Sequence, residues 1–208
     1  MEHETNEGTA LSFAEQKIFF ERVFLSKKLS RTQKYNLAFV YLTGARRNEA
    51  LAVTTDDVDF EGKILHLPGT KTGGSNRQIP LFPLVETLLK SMNVEKGSYF
   101  PISENQANKA FHLCMKKHKL HDLRHTFGTI RICCNKIDVK TVSLWMGHST
   151  LHTTLTIYTH PEQLDRASFL RGDLSEEEKG AILKEKYNQI KLLLDGFLDE
   201  RTQNAPPN

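Results

Sequence analysis

Residues 121–129, HDLRHTFGT, set two histidines and an arginine within five positions, at what reads as the start of a helix. His121 and His125 are four apart and would share a helical face, the spacing of two zinc ligands. A zinc helix of the HExxH kind carries glutamate after its first histidine, where this chain has Asp122, and Arg124 would set a fixed positive charge beside the metal. Read instead as donors at the positive end of a helix, the three side chains converge on an anion. The stretch is therefore an anion-site candidate, and no metal is assigned to it.

The flanking sequence supplies the scaffold. SFAE at 12–15 and SRTQ at 30–33 are capping boxes ahead of apolar residues, and they predict helices to about Lys28 and to the Gly44 stop. ARRNEALAV at 45–53 suits a short helix before the acidic turn TTDDVDFEG. KILHL and RQIPL are short strand candidates joined by PGTKTGGSN, whose glycines and asparagine suit a hairpin. PLVETLLKSM, ENQANKAFHLCMKK, DVKTVSLWMG and STLHTTLTIYTH read as further helices around the opening stretch. The expected fold class is α+β, mainly α-helical with a small antiparallel β-sheet. Near the end, Ser175 and Glu178 form another capping box, and Leu183, Tyr187, Ile190, Leu194 and Phe197 make one apolar stripe on a long helix. The expected division is a flexible lead over 1–11, a body over 12–172, a C-terminal helix over 173–201 and a disordered tail over 202–208. The stripe needs a partner surface, either the body of the same chain or a neighbouring protomer.

Composition is that of an ordinary globular chain: 208 residues, 38% apolar and 25% charged, enough for one domain with a substantial core. No apolar run approaches the roughly 18 residues that cross a bilayer. The polar start MEHETNEGTA also lacks the apolar stretch of a signal peptide, so a cytoplasmic protein without a membrane partner is expected. Three cysteines, two of them adjacent at Cys133 and Cys134, suggest neither a disulfide framework nor a CxxC zinc pair. Net charge is +3, but residues 1–7 carry −3 and residues 175–208 carry −2, which leaves +8 on the body. A basic body with acidic ends fits a polyanion partner, though such an excess is also common on proteins that never meet one.

Four further features lie along the chain. TGARRNE at 43–49 brings Arg46 out at a helix start after a glycine turn, and GTKTGG sets Lys71 at the tip of the hairpin. His148 follows a helix-ending glycine in WMGHST, and Tyr158 lies ten residues on in IYTH. Singly, these are a surface arginine, a turn lysine, a capping histidine and a core tyrosine. In this order, with HDLRH between them, they resemble the catalytic domain of the tyrosine recombinases, the phage integrase family that includes the Xer and Cre recombinases. That family's pattern is TGxR with a glutamate three residues on, a lysine on a β-hairpin, HxLRH, a GH motif and a tyrosine about ten residues later. Here it is matched by Arg46 with Glu49, Lys71, His121 to His125, Gly147–His148 and Tyr158, across about residues 12–165.

The resemblance implies a site-specific DNA recombinase, cutting and rejoining double-stranded DNA through a 3′-phosphotyrosyl intermediate without metal or cofactor. It implies that Tyr158 is the nucleophile, that Arg46, Arg124 and His148 hold the phosphate oxygens, and that His121 assists proton removal. Lys71 would protonate the departing 5′-oxygen, with Glu49 and His125 in support. His152 and His160 are read as surface or capping residues, and Trp145 either as core or as packing beneath the site. The likeness also implies a homo-oligomer, a tetramer on DNA and weakly associated or monomeric without it, with accessory DNA-bending or directionality proteins. It suggests that the C-terminal stripe docks in trans. Two alternatives stay open: a non-catalytic DNA-binding module that keeps the fold, and a type IB topoisomerase-like activity. Family members usually carry an N-terminal DNA-clamping domain; with about ten residues before the first helix, this chain reads as a catalytic-domain fragment or a short protein.

Overall fold

A computed structural model describes residues 8–69, 76–148, 150–171 and 173–203. Helix α1 (Phe13–Leu25) starts at the Ser12–Glu15 capping box and α2 (Arg31–Thr43) at the Ser30–Gln33 box, as the sequence predicts. Apolar side chains all round α2, from Tyr35 through Leu42, suit a helix with no solvent face, and α2 is buried along most of its length. Each fully buried phenylalanine or leucine of this core contributes about 1.5–3 kcal/mol. After the short α3 (Arg47–Ala52), the acidic turn is not a plain turn. It holds a 3₁₀ turn and an edge strand β1 (Val58–Asp59), which pairs antiparallel with β2 (Ile64–Leu67). β2 pairs in turn with β3 (Arg77–Pro80), Leu65 opposite Ile79 and Leu67 opposite Arg77, so the sheet has three strands in the order β1–β2–β3.

Helices α4 (Pro83–Ser91) and α5 (Glu104–Cys114) flank α2, and α6 (His121–Cys133) crosses it. Next come α7 (Val139–Met146), ended by left-handed Gly147, and α8 (Leu151–Tyr158), both packed on α6. A short α9 (Arg166–Leu170) precedes the long α10 (Glu176–Gln203), which runs past the expected boundary at 201. Its stripe faces the chain's own α1, α4 and α6, with Leu183, Tyr187, Ile190, Leu194 and Leu198 buried and Phe197 stacked on Phe24 at 5.1 Å. Among the described residues, no helix is long and apolar enough to cross a membrane.

The lead expected to be flexible over 1–11 is fastened at its far end. Leu11 is fully buried and its N–H donates to Thr126 Oγ1 at 2.9 Å, while the Ala10 N–H donates to Gln163 Oε1 at 2.9 Å. Both bonds satisfy backbone donors that burial would otherwise orphan, so residues 8–11 form a strap from α6 to the turn after α8. Residues 1–7 lie outside the described residues.

Candidate active site

Gly44 ends α2 at φ +65°, and its N–H donates to the Val40 carbonyl. A Cβ there would collide with the Phe127 ring on α6, so glycine answers both the left-handed turn and the close approach. The turn delivers Arg46 to the N-cap of α3. Its backbone N–H donates to Glu49 Oε2 and its Nη1 to Glu49 Oε1, both at 2.7 Å, and its Nη2 donates to the Gly147 carbonyl at 3.0 Å. Glu49 is fully buried, and burial would raise its pKa. The hydrogen bonds and charge of Arg77, with the bonds from Arg46, outweigh this and pull the carboxyl down to about 2.

Arg124, on the first turn of α6, is only 1% exposed. Its Nη1 donates to the Gly44 carbonyl at 2.6 Å and its Nη2 to the Met146 carbonyl, which sets its positive charge beside Tyr158. Among the described residues no carboxylate pairs with it. Burial, reinforced by the positive Arg46 and Arg77, lowers its pKa to about 10, and it remains a cation at neutral pH. The backbone carbonyls hold Arg124 at fixed orientation without cancelling its charge, and Arg46, paired with Glu49, is fixed by the Gly147 carbonyl beside it; the two forks suit an incoming oxyanion.

Tyr158, the last residue of α8, is 1% exposed and belongs to a small cluster with Phe127, Val142 and Met146. Its ring lies across α6 where Gly128 leaves room; a Cβ at 128 would come 2.5 Å from Tyr158 Cδ1. Burial raises its pKa, opposed by the positive charges of Arg124 and Arg46. Imidazoles flank the ring. His148 stacks on it at 5.4 Å and 13°, its Nδ1 against Thr154 Oγ1 at 2.8 Å, and His125 lies at 5.5 Å on a tilted plane. His121 reaches solvent at the start of α6 and meets His125 edge-on at 4.8 Å, so the rings run His121, His125, Tyr158, His148. His125, rather than His121, packs against the tyrosine ring. Desolvation comes first among the causes that lower the pKa of all three histidines, to about 4 for His125 and His148; Arg124 adds to it at His121 and His148, and His121 at His125. At neutral pH His125 and His148 are uncharged.

Beside Arg46 and His121 opens a cleft of about 380 Å³, also walled by Arg47, Asn48, Asn108 and Lys119. Trp145 packs half-buried against Phe82 at 5.5 Å, under the site. His152 is exposed and His160 bonds back to the Thr156 carbonyl at 2.9 Å. Lys71 lies outside the described residues. Six of the eight residues singled out from the sequence, Arg46, Glu49, Arg124, His125, His148 and Tyr158, are thus brought into one connected cluster, with His121 at its rim. Two residues went unnoticed. Arg77 is one; the period of two in RQIP puts it on the inward face with Ile79, an odd register for an arginine. The other is Gly128, a glycine inside a strong helix pattern. Among the described residues, no group of three His, Cys, Asp or Glu side chains is placed to hold a metal ion.

The phage integrase family matches the chain over residues 20–164, a span that takes in the cluster from Arg46 to Tyr158. The chain belongs to the phage integrase family. Tyrosine recombinase XerC of Chlamydia caviae is 26% identical over 171 residues, covering 72% of this chain and 54% of that protein. The integrase of Staphylococcus phage L54a is 28% identical over 167 residues, covering 60% and 47% respectively. The chain thus spans about half the length of these relatives. Its fold is that of the catalytic domain of bacteriophage HP1 integrase, with a TM-score of 0.59 at 22% identity over 80% of this chain and 96% of that one.

Proposed function

We propose that this chain is the catalytic domain of a site-specific DNA recombinase that cuts and rejoins double-stranded DNA through a phosphotyrosyl link. The observation that carries the reading is the gathering of two guanidiniums and an imidazole around Tyr158: Arg46 and Arg124 are held by the Gly147, Gly44 and Met146 carbonyls close enough for their charges to act on the phenol, and His148 stacks on its ring. The Tyr158 oxygen attacks the scissile phosphorus, a P–O(Tyr) bond forms at the 3′ side, and the bond to the 5′-oxygen breaks. His121 is the acceptor of the phenolic proton, and His125, whose ring stands between His121 and Tyr158, supports it. Arg46 and Arg124 place planar donor forks on the non-bridging oxygens and stabilise the charge that builds in the transition state. His148 adds a hydrogen bond to the same oxygens, and Lys71 supplies the proton for the departing 5′-hydroxyl. Attack by a 5′-hydroxyl of another strand reverses each bond change, so phosphodiester energy is conserved without an external donor. The cationic wall from Arg46 to Lys119 takes the adjoining phosphates. Strand exchange between two duplexes needs more than one active site, so the chain acts on DNA as a homo-oligomer, in the cytoplasm where that DNA lies.

The test uses a duplex selected from a random pool for binding to the chain, nicked near the bound site. Incubation with the chain should give a protein–DNA adduct that survives denaturant, and Tyr158→Phe should abolish it. Binding without adduct, or equal yields from the two proteins, would leave only a DNA-binding module.

A further inference from the structure

Arg77 has been given no part in the reaction, yet its bonds are not those of an ordinary strand arginine. Its side chain is 8% exposed. Nη1 donates to Glu49 Oε1 and Nη2 to Glu49 Oε2, each at 2.8 Å, a fork that a lysine cannot reproduce. Nε donates to the Trp145 carbonyl at 2.6 Å, just ahead of the turn that carries His148. A Cβ on Gly147 would stand 3.1 Å from Arg77 Cδ, so that turn rests against the arginine stem. Glu49 passes the constraint on through its two bonds to Arg46, and Arg46 closes the circuit on the Gly147 carbonyl. Three distant segments, β3, the start of α3 and the turn between α7 and α8, are locked to one carboxylate.

We infer that Arg77 is a positioning residue for strand transfer, fixing the Arg46 guanidinium and the His148 turn in the geometry that receives the phosphate. This rests on the recombinase reading above. Arg46 is 38% exposed and reaches toward solvent, so its direction depends on what holds its root. Glu49 is that root, and without Arg77 a buried carboxylate would keep a single cation on one side, free to turn toward it. Arg77 holds both oxygens at once, which leaves Glu49 one orientation to offer Arg46.

The test compares Arg77→Lys, Arg77→Gln, Glu49→Gln and the Arg77→Gln/Glu49→Gln double variant on the nicked duplex described above. Lysine keeps the charge and removes the fork. The Lys variant should fold, bind the duplex within about twofold of wild type, and lose on the order of 10²-fold in adduct formation at saturating DNA. The Arg46 Nε–Hε signal of the free chain should broaden or disappear in its NMR spectrum. In the Gln variant His148 should also titrate at higher pH, because a positive neighbour is gone. The double variant should be no slower than the worse single variant, since both act through one root. A folded Lys variant at the wild-type rate, a loss confined to DNA affinity, or multiplying losses would overturn the inference. So would unfolding of both the Lys and the Gln variants, which would mark a residue that holds the fold alone. If wild type itself forms no adduct, the recombinase reading fails separately, and an unchanged Arg46 signal in the Lys variant still overturns the positioning role.

Discussion

Replacing Gly128 by alanine should separate stability from chemistry. The new methyl would lie 2.5 Å from Tyr158 Cδ1, 2.8 Å from Cε1 and 2.9 Å from Met146 Sδ, where ordinary contact begins at 3.4 Å. The tyrosine ring must therefore retreat by about 0.9 Å, the difference between 3.4 and 2.5 Å. Overpacking of this kind costs about 1–3 kcal/mol. Alanine in a helix interior returns about 1 kcal/mol of that relative to glycine. The net loss is at most about 2 kcal/mol, or roughly 4–8 °C in Tm for a domain of this size. A nucleophile displaced by nearly 1 Å should lose on the order of 10²-fold in rate. Gly196→Ala is the control, because a Cβ there meets nothing within 4 Å. It should gain up to about 1 kcal/mol and leave the adduct rate alone. Thermal melts and single-turnover adduct formation on the nicked duplex read both quantities. If Gly128→Ala behaves like Gly196→Ala, stabilised and fully active, the notch at Gly128 does not place the nucleophile.

Arg124→Lys should cut adduct formation by at least about 10²-fold, because one ammonium cannot span the Gly44 and Met146 carbonyls and a phosphate; a rate near wild type would show that charge alone suffices. Leu194→Ala should cost about 2–5 kcal/mol as a buried truncation. The wild-type melt should not depend on protein concentration if α10 docks in cis, and a Tm rising with concentration would point to docking between chains. Acid should destabilise the chain in two stages. His125 has a folded pKa of about 4, below its ordinary 6.5, so the unfolded chain takes the proton first and stability falls as pH drops from 6.5 towards 4. Glu49, at about 2 against an ordinary 4.5, adds a further loss of about 3 kcal/mol as pH falls below 4.5. Urea midpoints across pH 2–7 should show both slopes, and Glu49→Gln should flatten the lower one; a level profile contradicts the burial of a neutral imidazole.

Signals carried by neighbouring residues were legible in the sequence. The boxes at Ser12, Ser30 and Ser175 close bonds three residues away, and the structure starts helices at each. The left-handed stops at Gly44 and Gly147 and the apolar stripe of α10 were equally local. The ordered motifs marked Arg46, Arg124, His148 and Tyr158, but only the fold could show that their rings and guanidiniums touch. What was missed depends on partners far along the chain. Arg77 meets Glu49 across 28 residues, and Leu11 meets Thr126 across 115. Strand β1 is two residues long, too short for any alternation to announce it. His125 came between His121 and the tyrosine because two residues on one helical face still sit at different heights along the axis.

The shared carboxylate of Glu49 bears on how such a sequence can drift. A change at 49 strands two guanidiniums, and a change at 77 leaves a buried carboxylate half-partnered; neither is neutral by itself, although the positions stand 28 residues apart. Divergence at this pair must proceed by coupled replacement or not at all, while the exposed faces of α5 and α10 remain open to exchange one residue at a time.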